Sequence, residues 1–213
     1  MAYLNQTTSE AQWLNVILKN SEGKEMRENF CIRSGKAKGN KVYYVKDGKQ
    51  IPLPGYASAN SLCVAVTGKS LAECMKPADK GGTIEKKTIN IWNVELKKEA
   101  PTERPVVMAL VNKSVKVAVH QTIEDKTAKG TNGTYEPTGE TRTTNECKFF
   151  GSVDSGKTAE EITKDEDATM FDRWAAKNTG TVIDKSSKGK PASAAAIMGS
   201  APAENNAQGS LFN

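Results

Sequence analysis

Residues 41–48 read Lys-Val-Tyr-Tyr-Val-Lys-Asp-Gly, and they decide the fold class. Their β-branched and aromatic side chains favour a strand, and Asp47-Gly48 is typical of a two-residue hairpin turn. Residues 114–123 show the clearest alternation of apolar and polar residues in the chain. This alternation predicts an inward face of Val115, Val117, Val119 and Ile123, and an outward face of Lys116, Ala118, His120 and Thr122. Together the two stretches predict a mainly β protein with antiparallel strands.

Further runs typical of strands lie on either side, at residues 13–18, 29–33, 88–96, 106–111 and 146–150. The apolar phase slips between Ile91 and Trp92, which indicates a β-bulge. Helices are predicted at residues 57–66, which Gly68 ends, at residues 70–75, and at residues 158–178. The order of these elements predicts a small antiparallel barrel similar to an OB-fold, with a helical insertion and a C-terminal helix.

The remaining segments are expected to lack regular structure. Residues 100–105 predict a turn-rich link, and residues 124–145 predict a long polar loop with a mobile tip. From residue 181 the composition shifts to small and polar residues, which predicts a disordered tail over residues 181–213. We therefore expect one domain over residues 1–180, followed by this tail.

Positive charge is concentrated in one short part of the chain. The net charge is +5 at pH 7, and residues 33–49 hold six basic residues against one acid, Asp47. A local basic excess favours a polyanionic partner. The chain has no apolar run near the ~18 residues that cross a bilayer, and residues 1–6 lack the features of a secretion signal. We therefore expect a soluble cytoplasmic protein that does not bind membranes.

The cysteine and histidine residues argue against a metal centre and against nucleophilic catalysis. The four cysteines, Cys31, Cys63, Cys74 and Cys147, are widely spaced, whereas a structural zinc site needs close pairs of ligands. The one histidine, His120, is expected on the strand surface. We therefore predict no catalytic residues, no metal and no cofactor.

Residues 151–158 read Gly-Ser-Val-Asp-Ser-Gly-Lys-Thr and match the phosphate-binding P-loop motif at every fixed position. A P-loop domain also needs parallel strands and crossover helices, which the rest of the chain does not predict. The same residues fit a capping box, in which Thr158 caps a helix and Glu161 reaches back to it. A nucleotide-binding protein that uses residues 151–158 stays open as an alternative, as does a structural or assembly β-protein.

Basic residues that lie close to aromatic residues are typical of proteins that bind single-stranded nucleic acids, because bases stack on rings while cations neutralise phosphates. Tyr43 and Tyr44 point to opposite faces of their strand, so we expect one of them, with the choice left open, to meet a base. The predicted DNA-binding residues are Arg33, Lys36, Lys38, Lys41, Tyr43, Tyr44, Tyr56, Lys86, Lys87, Trp92, Lys116, Lys126, Lys129, Tyr135 and Arg142.

Several segments resemble the small single-stranded DNA-binding proteins of tailed bacteriophages. They are residues 53–63 (Leu-Pro-Gly-Tyr-Ala-Ser-Ala-Asn-Ser-Leu-Cys), 67–69 (Thr-Gly-Lys), 126–129 (Lys-Thr-Ala-Lys), 135–142 (Tyr-Glu-Pro-Thr-Gly-Glu-Thr-Arg) and 171–175 (Phe-Asp-Arg-Trp-Ala). The resemblance covers residues 28–178. It implies an OB-fold, sequence-independent binding of single-stranded DNA, and a role in phage DNA replication or recombination in the host cytoplasm.

The C-terminal residues Ser-Leu-Phe at 210–212 fit the same resemblance. It implies that Leu211 and Phe212 form a partner-binding tip that contacts phage replication proteins. In bacterial single-strand binders the tail is acidic, whereas residues 185–213 contain three lysines and one glutamate. The choice between DNA and RNA stays open, and so does the formation of a homo-oligomer.

Overall fold

The computed structural model describes residues 1–93 and 95–187, so the tail prediction for residues 188–213, including Leu211 and Phe212, falls outside the described residues. The strands and helices are β1 (Ala2–Gln6), β2 (Gln12–Lys19), β3 (Glu25–Arg33), β4 (Tyr43–Lys46), β5 (Lys49–Pro52), α1 (Pro54–Thr67), α2 (Leu71–Cys74), β6 (Ile84–Asn93), β7 (Lys98–Val107), β8 (Lys116–Lys129), β9 (Tyr135–Gly151), α3 (Ala159–Lys164), α4 (Met170–Asn178) and β10 (Val182–Asp184).

Five antiparallel strands form the largest sheet, in the order β3-β2-β1-β7-β6. Strand β1 pairs with β2 along its whole length, whereas in the part of the chain that the structure describes it pairs with β7 at Tyr3 opposite Val106. Over residues 1–93 and 95–187, β3 and β6 remain the two edges of an open sheet. The mainly β, antiparallel prediction is confirmed, whereas the sheet is not the closed barrel that the sequence predicts.

Two smaller sheets accompany the large one. Strands β4 and β5 form a hairpin, and β8 lies between β10 and β9 in a three-stranded sheet. The predicted turn is confirmed, because Asp47 and Gly48 join β4 to β5 with φ values of 51° and 73°. Both values are positive, as a type I′ turn requires.

Helix α1 packs against β3 and covers the hydrophobic core. The core side chains with the lowest exposure include Leu14, Ile32, Leu62, Cys63 and Leu71. Full burial of each large apolar side chain contributes about 1.5–3 kcal/mol. The predicted helical insertion is confirmed: α1 ends at Gly68 with φ 70°, and α2 begins with a capping box between Ser70 and Glu73.

Gly55, in the first turn of α1, lies against the backbone of β3. A Cβ atom built on Gly55 would lie 2.5 Å from both the backbone N and the backbone O of Cys31. Contacts this short do not occur between real atoms, so a larger residue would force the helix away from the strand. The glycine in the first turn of α1 therefore sets the distance between the helix and the sheet.

The chain divides into two compact units. The first comprises residues 1–122 and 144–183 and contains the core. The second comprises residues 123–143 and 184–213, and its described part is the outer half of the β8–β9 ribbon with residues 184–187. The single domain predicted over residues 1–180 stays a prediction.

The alternation predicted over residues 114–123 holds at Val115 and Val117, which pack against the core while Lys116 is exposed, but its phase is inverted from Ala118 onward. The buried residues are Ala118, His120 and Thr122, whereas Val119 is 37% exposed. The His120 ring lies against Trp174 with centroids 4.9 Å apart, and the Thr122 hydroxyl lies 2.8 Å from the Thr144 hydroxyl. These partners come from α4 and β9, so the local pattern could not reveal them.

The structure of the β6–β7 hairpin contradicts three predictions. Its register runs from Ile84 opposite Val107 to Asn93 opposite Lys98 with no shift, so the bulge at Ile91 and Trp92 is wrong. The supposed link at residues 100–105 belongs to β7, and the supposed strand at residues 106–111 ends in a 3-10 turn. Proline has no N–H to donate to a neighbouring strand. The prolines of β7 are tolerated because, among the described residues, β7 pairs with β1 at Val106, so the rest of that side of β7 needs no ladder hydrogen bonds.

Three predictions near the C-terminal end also need correction. The helix at residues 158–178 is two helices, α3 and α4, because Asp165 turns the chain with φ 52°. The loop at residues 124–145 is mostly a β-ribbon, and residues 182–184 form β10 instead of the start of a disordered tail.

No helix in the described part of the chain has the length and apolar character needed to cross a membrane.

We predict that Gly55→Ala lowers the free energy of unfolding by about 2 kcal/mol or more, because the new methyl group overpacks the contact with Cys31. Urea unfolding followed by circular dichroism measures the change. The control is Ala57→Gln on the exposed side of α1, which should change stability by about 0.5 kcal/mol or less. Equal effects of the two substitutions would contradict the close contact.

Candidate nucleic-acid interface

The most basic part of the chain forms one structural feature, which we call the basic hairpin and define as residues 33–52. It contains a short loop after β3 and then strands β4 and β5. Its six basic residues are Arg33, Lys36, Lys38, Lys41, Lys46 and Lys49. Among the described residues, no carboxylate lies within 4.0 Å of Lys38, Lys41, Lys46 or Lys49, so these four cations are not neutralised by ion pairs.

The loop of the basic hairpin is fixed to the turn between β1 and β2. The backbone N–H of Lys36 donates to the Ser9 carbonyl at 2.9 Å, and the Asn40 amide donates to the Glu10 carboxylate at 3.1 Å. A Cβ on Gly35 would lie 2.5 Å from the Ser9 carbonyl oxygen, so the approach again needs glycine. The backbone that carries the lysines is thus held in place before any ligand arrives.

Hydrogen bonds within the basic hairpin close its base. The Arg33 guanidinium donates through Nε to the Asn40 carbonyl at 2.9 Å. The Ser34 hydroxyl accepts the N–H of Lys41 at 2.8 Å, and the Leu53 N–H donates to the Val42 carbonyl at 2.9 Å. Arg33 therefore has a positioning contact in the loop and still presents its charge to solvent.

The two adjacent tyrosines have different surroundings. Tyr43 is half-buried, with the Lys41 ammonium 5.6 Å from its ring centroid. Tyr44 is 42% exposed and lies opposite Ile51 in the β4–β5 ladder. The sequence left open which of the two tyrosines a base would meet. The greater exposure of Tyr44 favours Tyr44 over Tyr43.

Two lysines lie on the same face of the hairpin as Tyr44. Lys46 is two residues after Tyr44, and Lys49 is the direct cross-strand partner of Lys46. Directly opposed like charges destabilise a hairpin, so this pair has no folding advantage. A phosphate between the two ammonium groups would remove the repulsion. Neither Lys46 nor Lys49 was predicted as a site residue, although the Asp47-Gly48 turn in the sequence already places them opposite each other.

The β6–β7 hairpin presents a second exposed ring but fewer free charges. Trp92 is 58% exposed. Lys86 forms an ion pair with Glu103 at 3.3 Å, and Lys87 forms one with Glu85 at 2.8 Å. These acids reduce the positive charge that the two predicted lysines offer to a polyanion.

The second unit carries four of the predicted residues on its ribbon. Tyr135 is 70% exposed. Lys126 pairs with Glu140 at 2.9 Å and Arg142 pairs with Glu124 at 2.9 Å, whereas Lys129 has no ion pair among the described residues. Tyr135 and Lys129 are therefore the members of this group that are most open to a ligand.

Two predicted site residues have structural contacts instead. Tyr56 is half-buried and packs against the hydrophobic core under α1. The Lys116 ammonium lies 4.3 Å from the ring centroid of Phe171, where it forms a cation–π contact. The structure does not place either residue with the basic hairpin.

The segment that matches the P-loop motif ends in the predicted capping box. The Glu161 carboxylate accepts the N–H of Thr158 at 2.8 Å, and its other oxygen accepts the N–H groups of Thr169 and Met170 at 2.7 and 2.8 Å. These three N–H donors at the starts of α3 and α4 are therefore already satisfied by the Glu161 carboxylate. Lys157 lies 3.5 Å from the Asp165 carboxylate. This geometry supports the capping box.

The cysteines are free thiols. Burial raises the pKa of the Cys63 thiol, and burial next to Glu28 raises that of Cys147 to about 12, so both stay protonated. Within residues 1–93 and 95–187, no group of three or more His, Cys, Asp or Glu side chains could hold a metal ion.

Comparison with known proteins identifies no family, because no protein-family model, curated protein or solved structure matches the chain.

We predict that Glu161 stabilises the fold mainly above pH 5. Burial raises the pKa of its carboxyl, but the hydrogen bonds from Thr158, Thr169 and Met170 outweigh this effect and lower it to about 2. Because the folded pKa lies below the unfolded value of about 4.3, the contribution is complete above pH 5 and is lost as the pH falls towards 2.

Urea unfolding of wild type and Glu161→Gln across this pH range measures the effect. Wild type should be the more stable protein at pH 7, and the gap should shrink between pH 5 and pH 2. The control, Glu160→Gln, removes an exposed carboxylate that pairs with Lys164 at the surface, so its effect should be small. A gap for Glu161→Gln that is as large at pH 3 as at pH 7 would contradict the assignment.

Proposed function

We propose that the protein binds single-stranded DNA without sequence specificity and acts in phage DNA replication or recombination, as the resemblance of the sequence implies. The observation that carries the proposal is the exposed Tyr44 ring on the same hairpin face as the opposed, unpaired Lys46 and Lys49. This face offers a stacking surface and two phosphate contacts on a backbone that is already ordered.

The binding mechanism follows from the two kinds of side chain. A base stacks on Tyr44 while the flanking phosphates contact Lys46 and Lys49, with Arg33, Lys38 and Lys41 adding charge from the loop. Stacking on one ring contributes about 1–3 kcal/mol and tolerates any base. A duplex hides its base faces, so this arrangement favours single strands.

Two further hairpins support the proposal. Each ends near an exposed aromatic ring, Trp92 in β6–β7 and Tyr135 in the β8–β9 ribbon. The order of the first unit, three sequential antiparallel strands, then the β4–β5 hairpin, a helix and a further hairpin, is the basis for proposing an OB-fold-like relationship. Recruitment of replication proteins through Leu211 and Phe212 is part of the same proposal and rests on the sequence alone.

We predict salt-sensitive binding of single strands. Neutralisation of about five phosphates gives a log–log slope of affinity against salt near −3.5, at about 0.7 per phosphate. Fluorescence anisotropy of labelled oligo-dT of about 30 nucleotides measures the slope, with unlabelled duplex and unlabelled oligo-rU as competitors. A flat salt response would contradict the electrostatic part of the proposal, and stronger competition by oligo-rU than by oligo-dT would identify RNA as the ligand.

We predict that Tyr44→Ala weakens oligo-dT binding about tenfold, which corresponds to about 1.4 kcal/mol, whereas Tyr44→Phe keeps most of the affinity because the ring remains. The matched variant Tyr43→Phe leaves the half-buried ring in place and should bind as wild type does. Thermal unfolding verifies that each variant is folded. Unchanged affinity of folded Tyr44→Ala would remove this ring from the site.

We predict that removal of one lysine of the opposed pair raises the stability of the fold but lowers the affinity for oligo-dT. Lys49→Gln should raise the free energy of unfolding by about 0.5 kcal/mol, because the like charge opposite Lys46 is gone. The same variant should bind oligo-dT more weakly, with the salt slope reduced by about 0.7. Lys177→Gln, at the C-terminal end of α4, is the control and should leave the salt slope unchanged. Loss of stability without loss of binding in Lys49→Gln would contradict the role of the pair.

A further inference from the structure

Strand β6 forms one edge of the five-stranded sheet, and its outer side is uncovered. Over the described residues, the strand that pairs with it along its length is β7, on the inner side. Six of the ten residues of β6 are exposed, which indicates that no other described element lies against this edge. Such an edge presents unpaired backbone N–H and C=O groups, with which another strand can form a ladder.

A short bridge at the start of β6 shows which backbone groups point outward, away from β7. The Ile84 N–H donates to the Lys76 carbonyl at 3.2 Å, in a bridge between Ile84 and Pro77 on the outer side. The direction of the backbone groups alternates from one residue to the next along a strand. The later residues that share the outward direction of Ile84 are therefore Lys86, Thr88, Asn90 and Trp92.

The prolines of β7 agree with this assignment. Pro101 lies opposite Asn90, and Pro105 lies opposite Lys86. Proline has no N–H, so neither pair can be one in which both residues donate to each other. In the other kind of pair the backbone groups point away from the partner strand. In the described part of the chain, no hydrogen bond reaches the backbone groups of the four outward residues.

The outward residues of β6 fit a second copy of the same strand. In an antiparallel pair centred on Ile89, Lys86 would lie opposite Trp92 of the second copy, and Thr88 would lie opposite Asn90. This register gives each of the four outward residues a partner, and each such pair exchanges two hydrogen bonds. A centre at Thr88 or at Asn90 would leave one of the four without a free partner, because the N–H of Ile84 already donates to Lys76.

The side chains on one face of β6 complement each other in this register. The Lys86 ammonium would meet the Trp92 ring of the second copy, which is 58% exposed in the single chain, in a cation–π contact. Glu99 lies opposite Trp92 in β7, so it would add an acidic neighbour for the same ammonium.

The other face of β6 also fits. The half-buried Ile89 would meet Ile89 of the second copy at the two-fold axis. Glu85 would face Asn93 of the second copy, beyond which lies Lys98. This face therefore combines an apolar centre with opposite charges at the two ends.

The two lysines of β6 do not prevent this pairing. Lysines on an edge strand usually keep other strands away. Here Lys86 forms an ion pair with Glu103 at 3.3 Å, and Lys87 forms one with Glu85 at 2.8 Å, so both charges are already neutralised. The register centred on Ile89 also places neither lysine opposite a lysine of the second copy.

We propose that the protein forms a homodimer in which the two β6 strands pair antiparallel about Ile89. The two large sheets then become one sheet of ten strands, five from each copy. The inference goes beyond single-strand binding, and it assigns Lys86 and Trp92 to self-association. The ring that carries the proposed function is Tyr44, on the separate β4–β5 hairpin, so that proposal does not depend on the dimer.

Sedimentation equilibrium of the nuclease-treated full chain tests the proposal. Wild type should be a dimer at micromolar concentrations. Thr88→Lys combined with Asn90→Lys opposes lysines at both central outward pairs, so dimerisation should weaken at least about tenfold. The matched variant, Thr88→Lys combined with Asn90→Glu, opposes unlike charges at the same positions and should dimerise as wild type does. Residues 88 and 90 are exposed, so both variants should fold, which circular dichroism verifies.

Three results would overturn the inference. Wild type could remain monomeric at all concentrations. Both variants could dimerise equally well, which would place the interface elsewhere. Both variants could be monomeric, which would exclude the register centred on Ile89. None of these measurements involves DNA, so each result is independent of the proposed function.

A crosslinking experiment replaces the charge variants if the two-lysine variant does not fold. Ile89→Cys meets itself at the two-fold axis, so oxidation with diamide should give a disulfide-linked dimer. The control is Lys87→Cys, which lies on the same face but would meet Ile91, and it should give no more dimer than wild type. Equal yields from the two cysteine variants would contradict the pairing.

Discussion

The close contact between α1 and β3 at Gly55 is the constraint on which the candidate interface depends. Residue 33 ends β3 and Pro54 begins α1, so this contact fixes both ends of the basic hairpin. The 2.5 Å between a built Cβ and the Cys31 backbone shows that only glycine permits the approach. Because the core holds the hairpin ends and Ser9 and Glu10 hold its loop, the proposed binding would not require ordering of a free basic segment, a cost that would otherwise weaken affinity.

The distribution of ion pairs separates the basic residues into two groups. Lys86, Lys87, Lys126 and Arg142 each have an acidic neighbour, and such surface pairs contribute about 0–1 kcal/mol each. The lysines of the hairpin face lack such neighbours, and two of them oppose each other. A local arrangement that disfavours folding without an evident compensating gain is expected at functional sites. The unpaired and opposed lysines, more than the total positive charge, therefore indicate where the proposed polyanionic ligand would bind.

Local chemistry made several features predictable from the sequence. The Asp47-Gly48 turn, the end of α1 at Gly68 and the capping box of Thr158 depend on neighbouring residues only, and all three are confirmed. The inverted phase of β8 from Ala118 onward depends on Trp174, whose ring lies against His120, and on Thr144, whose hydroxyl lies beside that of Thr122, and both residues are distant in sequence. The same limit applies to the site. Composition identified the basic stretch, but the exposure of Tyr44 and the ion pairs of Lys86 and Lys126 required tertiary structure.

Photocrosslinking tests the central claim most directly, because it locates the bound strand on the protein. Oligonucleotides that contain 5-bromodeoxyuridine crosslink to nearby aromatic side chains on irradiation, and mass spectrometry of the digested complex identifies the modified residue. The account predicts a crosslink at Tyr44 that excess unlabelled oligo-dT suppresses. Crosslinks confined to residues outside the basic hairpin, with none at Tyr44, would contradict it.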